Sequence, residues 1–135
     1  MSFTQKTRTL THEGALAVLN AALKRASETQ APQCIAVVDT GANLLAFVRM
    51  DQAKLVSIDS AIAKAITAAT SGKATGQGSA EQEIKMAVVT RGRVTNIRGG
   101  VPLLVEGVVV GGIGVGSGTL DQDVDCAEAG AAALI

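Results

Sequence analysis

The chain has 135 residues with twelve basic and twelve acidic side chains, so its formal net charge is zero; this size predicts one domain, 1–135, and leaves no charge excess for general polyanion binding. It contains no Trp or Tyr and only two Phe, which removes the stacking platforms that single-stranded nucleic acid needs. Charged residues make up 18 % and hydrophobic ones 47 %, a balance that predicts some surface buried against copies of the same chain.

No segment has the apolar run of an export signal or a membrane span, so a cytoplasmic protein without membrane or nucleic-acid partners is expected. Cys34 and Cys126 have no C-x-x-C spacing and are expected as reduced structural thiols. Residues 4–10 alternate weakly and predict an edge strand. Thr11 can cap a helix reaching about residue 29, with Leu16, Leu19, Leu23 and Ala26 as its stripe. After Pro32, CIAVVDTGANLLAFVRM shows two apolar runs around DTGAN, a hairpin signal. A second helix over Lys54 to Ser71 is expected to bury Leu55, Ile58, Ile62, Ile66 and Ala69, with Ser57, Ser60, Lys64 and Ser71 on the opposite side.

GKATGQG is a loop, and Ser79-x-x-Gln82 opens a third helix over SAEQEIKMAVV. TRGRVTNIRGG is irregular. VPLLVEGVVV then reads as two strands joined at Glu106-Gly107. On the second of these strands Gly112, Gly114 and Gly116 share one face. A bare stripe on a strand implies close approach by a helix, a subunit or a flat ligand, and packing is the commoner cause. Thr119-x-x-Gln122 opens the last helix. Two hairpins among helices predict an α+β fold with an antiparallel sheet flanked by helices.

GGIGVGSG, residues 111–118, fits neither phosphate motif. The Walker pattern lacks its lysine, and the dinucleotide fingerprint meets Ser117 at its third glycine place. His12, the only histidine, falls in the first turn of a helix, where the dipole favours a neutral imidazole able to ligate a metal or haem iron. Asp121, Asp123 and Asp125 resemble half of a calcium loop, but Cys126 and Ala132 break the pattern, and dipole complementation explains them better. Lys64 lies in AIAKAITAA, whose small neighbours would leave its amine accessible for an anion or for proton transfer; a solvent-facing lysine is the plainer alternative. Arg91, Arg93 and Arg98 cluster in the glycine-containing loop, and Arg49 could join them in holding carboxylates. With one histidine and no nucleophile elbow, no Ser-His-Asp arrangement can be built.

VVDTGANLLAFVRMD, the AIAKAITAAT helix, GGVPLLVEGVVVGGIGVGSG and the closing AEAGAAAL together resemble the GlcG/HbpS family, which includes the C-terminal domain of PduO-type cobalamin adenosyltransferases. The resemblance implies a profilin-like fold with a five-stranded antiparallel sheet in α/β/α layers, assembled as dimers and often octamers. It picks out Asp39, Gly41, Arg49, Met50, Lys64, Gly99, Gly100, Pro102, Gly111 and Gly114, and places Gly99, Gly100, Pro102 and Gly114 beside a ligand pocket or subunit contact. Two departures fall there: Arg98 replaces a glycine, and Ser117 is displaced within Gly114-Val115-Gly116-Ser117-Gly118.

Family members are linked to haem binding or degradation, redox sensing and catabolic gene clusters. The expectation is therefore an oligomeric binder of haem or a related tetrapyrrole, with His12 as axial ligand and Arg91, Arg93 or Arg98 on the propionates. A cofactor-independent lyase or isomerase for a small organic or aromatic acid is the alternative, with Lys64 moving the proton and Arg49 or Arg98 holding the carboxylate. A non-catalytic accessory subunit is the third.

Overall fold

The computed structural model describes residues 2–135. Helix α1 (His12–Glu28) leads to strands β1 (Cys34–Asp39) and β2 (Leu44–Arg49), then helices α2 (Ser57–Ser71) and α3 (Ala80–Val89). Strands β3 (Gly100–Val105) and β4 (Val108–Gly116), helix α4 (Leu120–Ala131) and a 3-10 turn (Ala132–Leu134) complete the chain. The sheet is antiparallel throughout, in the order β2-β1-β4-β3. It has four strands where five were expected.

The missing strand is residues 4–10, which contribute one backbone bond instead of a ladder. Leu10 N donates to Val110 O at 2.9 Å. Val110 is the extra residue at the irregularity where Leu103 pairs with Gly111 and Leu104 with Val109, and such a residue is left outside the ladder. The N-terminal segment meets that interruption, and a strand needs more than one point of contact.

β1 is buried on both faces, as a continuous apolar run in a central strand should be. Ile35 and Val37 join Val18, Ala22, Leu103, Ile113, Val115 and Cys126 in a core under α1 and α4. Cys34, Ala36 and Val38 face Ala61, Ala65, Ile66 and Ala69 of α2 on the other side. This gives the expected helix, sheet, helix layering. Pro102 sits on edge strand β3, where a missing N–H is tolerated.

The glycine stripe is explained by α2. A Cβ on Gly112 would come within 2.8 Å of Ala69 N, and one on Gly114 within 2.9 Å of Lys64 Cβ while overlapping the Ala61 carbonyl. The helix backbone rests directly on β4. That contact also rotates the buried face of α2 away from the predicted one: its small residues Ser57, Ala61, Lys64, Ala65 and Ala68 are buried, Leu55 is exposed ahead of the helix, Ile58 and Ile62 are only partly covered, and Ser71 stays exposed. Bulk decided the matter, because only small side chains fit between a helix and bare strand backbone. Ile66 and Ala69 are buried as expected.

Local signals fared well. Thr11 caps α1 through Gly14 N at 3.0 Å, and Thr119 and Gln122 form a reciprocal capping box at α4. Asp39 Oδ1 accepts from Gly41 N and Asn43 N at 2.9 and 3.0 Å, tying the first hairpin. Ser117 accepts from Lys54 N at 2.9 Å, pinning the approach to α2. Among the described residues no helix is long and apolar enough to cross a membrane.

Candidate functional site

Lys64, expected to present an accessible amine, is 2 % exposed. Its Nζ donates to Val115 O at 2.7 Å and to Asp123 Oδ2 at 3.1 Å. Asp123 Oδ1 accepts from Gly118 N at 3.0 Å. α2 supplies the cation because its small face is turned to the glycine stripe, and the first turn of α4 supplies the anion. Burial pushes the Asp123 carboxyl above its usual range, against the opposing pull of Lys64. The pair joins α2, β4 and α4 and is almost dry, so the expected accessible amine is corrected to a buried, ion-paired one. Gly99 belongs to the same centre. With φ +127°, a Cβ there would lie 2.6 Å from Val115 O and 3.0 Å from Lys64 Nζ.

The acidic trio does not converge. Asp121 binds exposed Arg98 at 3.2 Å, Asp123 binds Lys64, and Asp125 binds Arg25 at 2.7 Å. The Arg25 hydrogen bond lowers the Asp125 carboxyl pKa. Three cations, from α1, α2 and the loop before β3, divide the acids, and the described residues hold no cluster of three His, Cys, Asp or Glu donors. Gln33, beside this centre, is fully buried with both side-chain amide atoms unpartnered.

The expected ligand residues separate into distinct places. Arg91 and Arg93 rim a depression of about 480 Å³ floored by Ile62, Ala63 and Ile66 of α2, with Asp59 at its edge. Neither arginine has an ion-pair partner among the described residues. Arg98, Gly99 and Gly100 line a smaller pocket of about 230 Å³ with Thr75, Val124 and Glu128. A third cleft, about 500 Å³, opens between α2 and α3 and is lined by Thr67, Lys73, Gln77, Met86 and Asn96 among others. Gly114 lies beneath α2, and the helix occupies the space a ligand wall would need.

Arg49 is exposed on edge strand β2 and donates to Ala53 O at 3.4 Å. His12 is exposed at the start of α1, on the face of the sheet opposite α2 and the Arg91–Arg93 depression. Within one chain His12 and those arginines do not meet. Reasoning from the residues missed Asp123 as the partner of Lys64. A lysine among alanines that pack on glycines signals a buried cation needing an acid, but nothing local separates Asp123 from its neighbours.

The fold and these positions can be set beside known proteins. The chain is 35 % identical over 119 residues to the corrinoid adenosyltransferase PduO of Citrobacter freundii, covering 84 % of this chain and 36 % of that one, so it spans about a third of that relative. It is 35 % identical over 107 residues to Protein GlcG of Escherichia coli K12, covering 78 % and 80 % of the two chains. A crystal structure of a PduOC:heme complex superposes with a TM-score of 0.83 at 29 % identity, over 93 % of this chain and 94 % of the other. The family model for the haem degrading protein HbpS-like matches residues 10–132, and this chain belongs to that GlcG/HbpS family.

Proposed function

We propose that this protein binds haem or a related tetrapyrrole and works as a homo-oligomer, between dimer and octamer. The observation that carries the reading is the depression on α2, where unpaired arginines stand over an isoleucine floor, in a chain whose fold matches a domain crystallised with heme. A flat apolar ring with carboxylates at one edge suits that surface: Ile62 and Ile66 would line the ring, and the planar fork of Arg93 would hold a carboxylate. A bound haem would supply a redox-active iron. His12 of a neighbouring copy would be the residue to hold the iron, because its own chain keeps it on the far side of the sheet.

Haemin titration followed at the Soret band tests this. A saturable, stoichiometric shift is expected, with affinity falling about tenfold in Arg93→Ala, the loss of roughly one charge-assisted bond. A non-saturating response would remove the reading. An unchanged spectrum in His12→Ala would remove the axial assignment alone.

A second reading rests on the pocket at Arg98. Its pair with Asp121 is largely exposed and so weakly held, which leaves the guanidinium free to exchange Asp121 for a small organic carboxylate. The lyase or isomerase form of this reading loses Lys64 as proton carrier. Carboxylate screening by calorimetry, with Arg98→Ala as control, separates it from the haem reading.

A further inference from the structure

Helix α3 is turned against the usual sense. Its half-buried side is Glu83 and Ala87, continued by the cap Thr90, three positions at helical spacing, while Ile84 and Val88 face outward at 66 % and 74 % exposure. A packed helix normally buries its apolar stripe and leaves its charges in water. Here an acid takes the inward place, and it forms no ion pair among the described residues. A carboxylate partly withdrawn from water costs free energy unless a cation meets it.

Glu83 lines the cleft of about 500 Å³ between α2 and α3. Gly78, at φ +89°, lets the loop after α2 pass close to it: a Cβ there would lie 3.3 Å from Glu83 Oε1. Lys73 of that loop lines the same cleft and is also unpaired among the described residues. Two opposite charges share one cavity without bonding to each other. The hydroxyls of Thr67, Thr70 and Thr75 already donate to the carbonyls of Ala63, Ile66 and Ile97 at 2.7, 2.8 and 2.6 Å. Lys73 and the amides of Gln77 and Asn96 are left to donate into the space, beside an apolar wall of Met86 and Val94.

We infer that this cleft binds a small zwitterion, an α-amino acid or a dipeptide, with its ammonium at Glu83 and its carboxylate at Lys73. One cation and one anion leave the lining without net charge, so it does not gather polyanions, and the chain has no Trp or Tyr on which a base could stack. A ligand carrying both charges satisfies both unpaired groups at once, through charge-assisted hydrogen bonds. The cleft shares no lining residue with the Arg91–Arg93 depression, so the inference stands apart from the haem reading.

Isothermal titration calorimetry on the whole chain tests the site, with a panel of L-α-amino acids and glycyl dipeptides as probes. At least one member should saturate at one per chain, with a dissociation constant below about 1 mM. Its N-acetyl derivative, lacking the ammonium, and its C-terminal amide, lacking the carboxylate, should each bind at least about tenfold more weakly, the loss of roughly one charge-assisted bond. Glu83→Gln should weaken the parent probe to the same extent and leave the N-acetyl derivative unchanged. Lys73→Met should likewise weaken the parent and leave the amide unchanged. Both side chains lie outside the two core clusters, so far-UV circular dichroism should show both variants folded. The proposal is overturned if no panel member binds saturably, or if neither variant weakens binding. It is also overturned if a variant weakens parent and blocked probe equally, because that marks a change of shape and not a lost charge pair.

Discussion

Lys64→Met removes a cation that is 2 % exposed and leaves Asp123, equally dry, beside an apolar chain. The stranded carboxylate still has the Gly118 N–H but no counter-charge, and breaking a buried pair from one side costs about 3–5 kcal/mol. An independent ceiling gives the same size. Asp123 can escape by taking a proton, and at pH 7 that costs a carboxyl of ordinary pKa about 4 kcal/mol, falling by about 1.4 per pH unit. The penalty should therefore be near 4 kcal/mol at pH 7 and about 1.5 at pH 5, against a total stability of roughly 7–20 kcal/mol for a chain this long.

Urea denaturation read by circular dichroism at both pH values measures it, tryptophan fluorescence being absent. Adding Asp123→Asn to the variant should restore most of the loss. In the wild type the raised carboxyl binds its proton more tightly when folded. Its contribution is full below about pH 4 and is lost as pH climbs through the raised value, and Asp123→Asn alone should abolish that slope. A penalty under about 1 kcal/mol at pH 7, or one that ignores pH, would refute a buried, mutually dependent pair.

Gly114→Ala pushes a methyl into the Ala61 carbonyl and Lys64 Cβ, so it should cost at least about 1–3 kcal/mol in the same denaturation assay; neutrality would mean α2 does not rest on β4. Burial pushes the Cys126 thiol up to about 12 and raises Cys34 as well. Neither should react with iodoacetamide at pH 8 until urea unfolds the chain, and mass spectrometry showing native alkylation would contradict their burial. Gln33→Met replaces two unpartnered buried polar atoms by an apolar chain of similar length and should stabilise by about 1–3 kcal/mol; a lower midpoint would show that the amide has a partner.

Sequence alone determined whatever depends on near neighbours. Capping at Thr11 and Thr119, the hairpin at Asp39 and the turn at Glu106-Gly107 are set by residues within a few positions of one another, where backbone sterics and local hydrogen bonds rule. The glycine stripe announced a close approach but not its author. Tertiary structure made that decision: α2 turned its small face inward because no larger side chain fits over bare strand backbone, which carried Lys64 into the core and made Asp123, 59 residues away in sequence, its necessary partner. The same distance effect denied residues 4–10 a place in the sheet, divided the three aspartates among three cations and set His12 across the sheet from the arginines. Charge can be read along the chain, but which charges meet is settled only once the layers close.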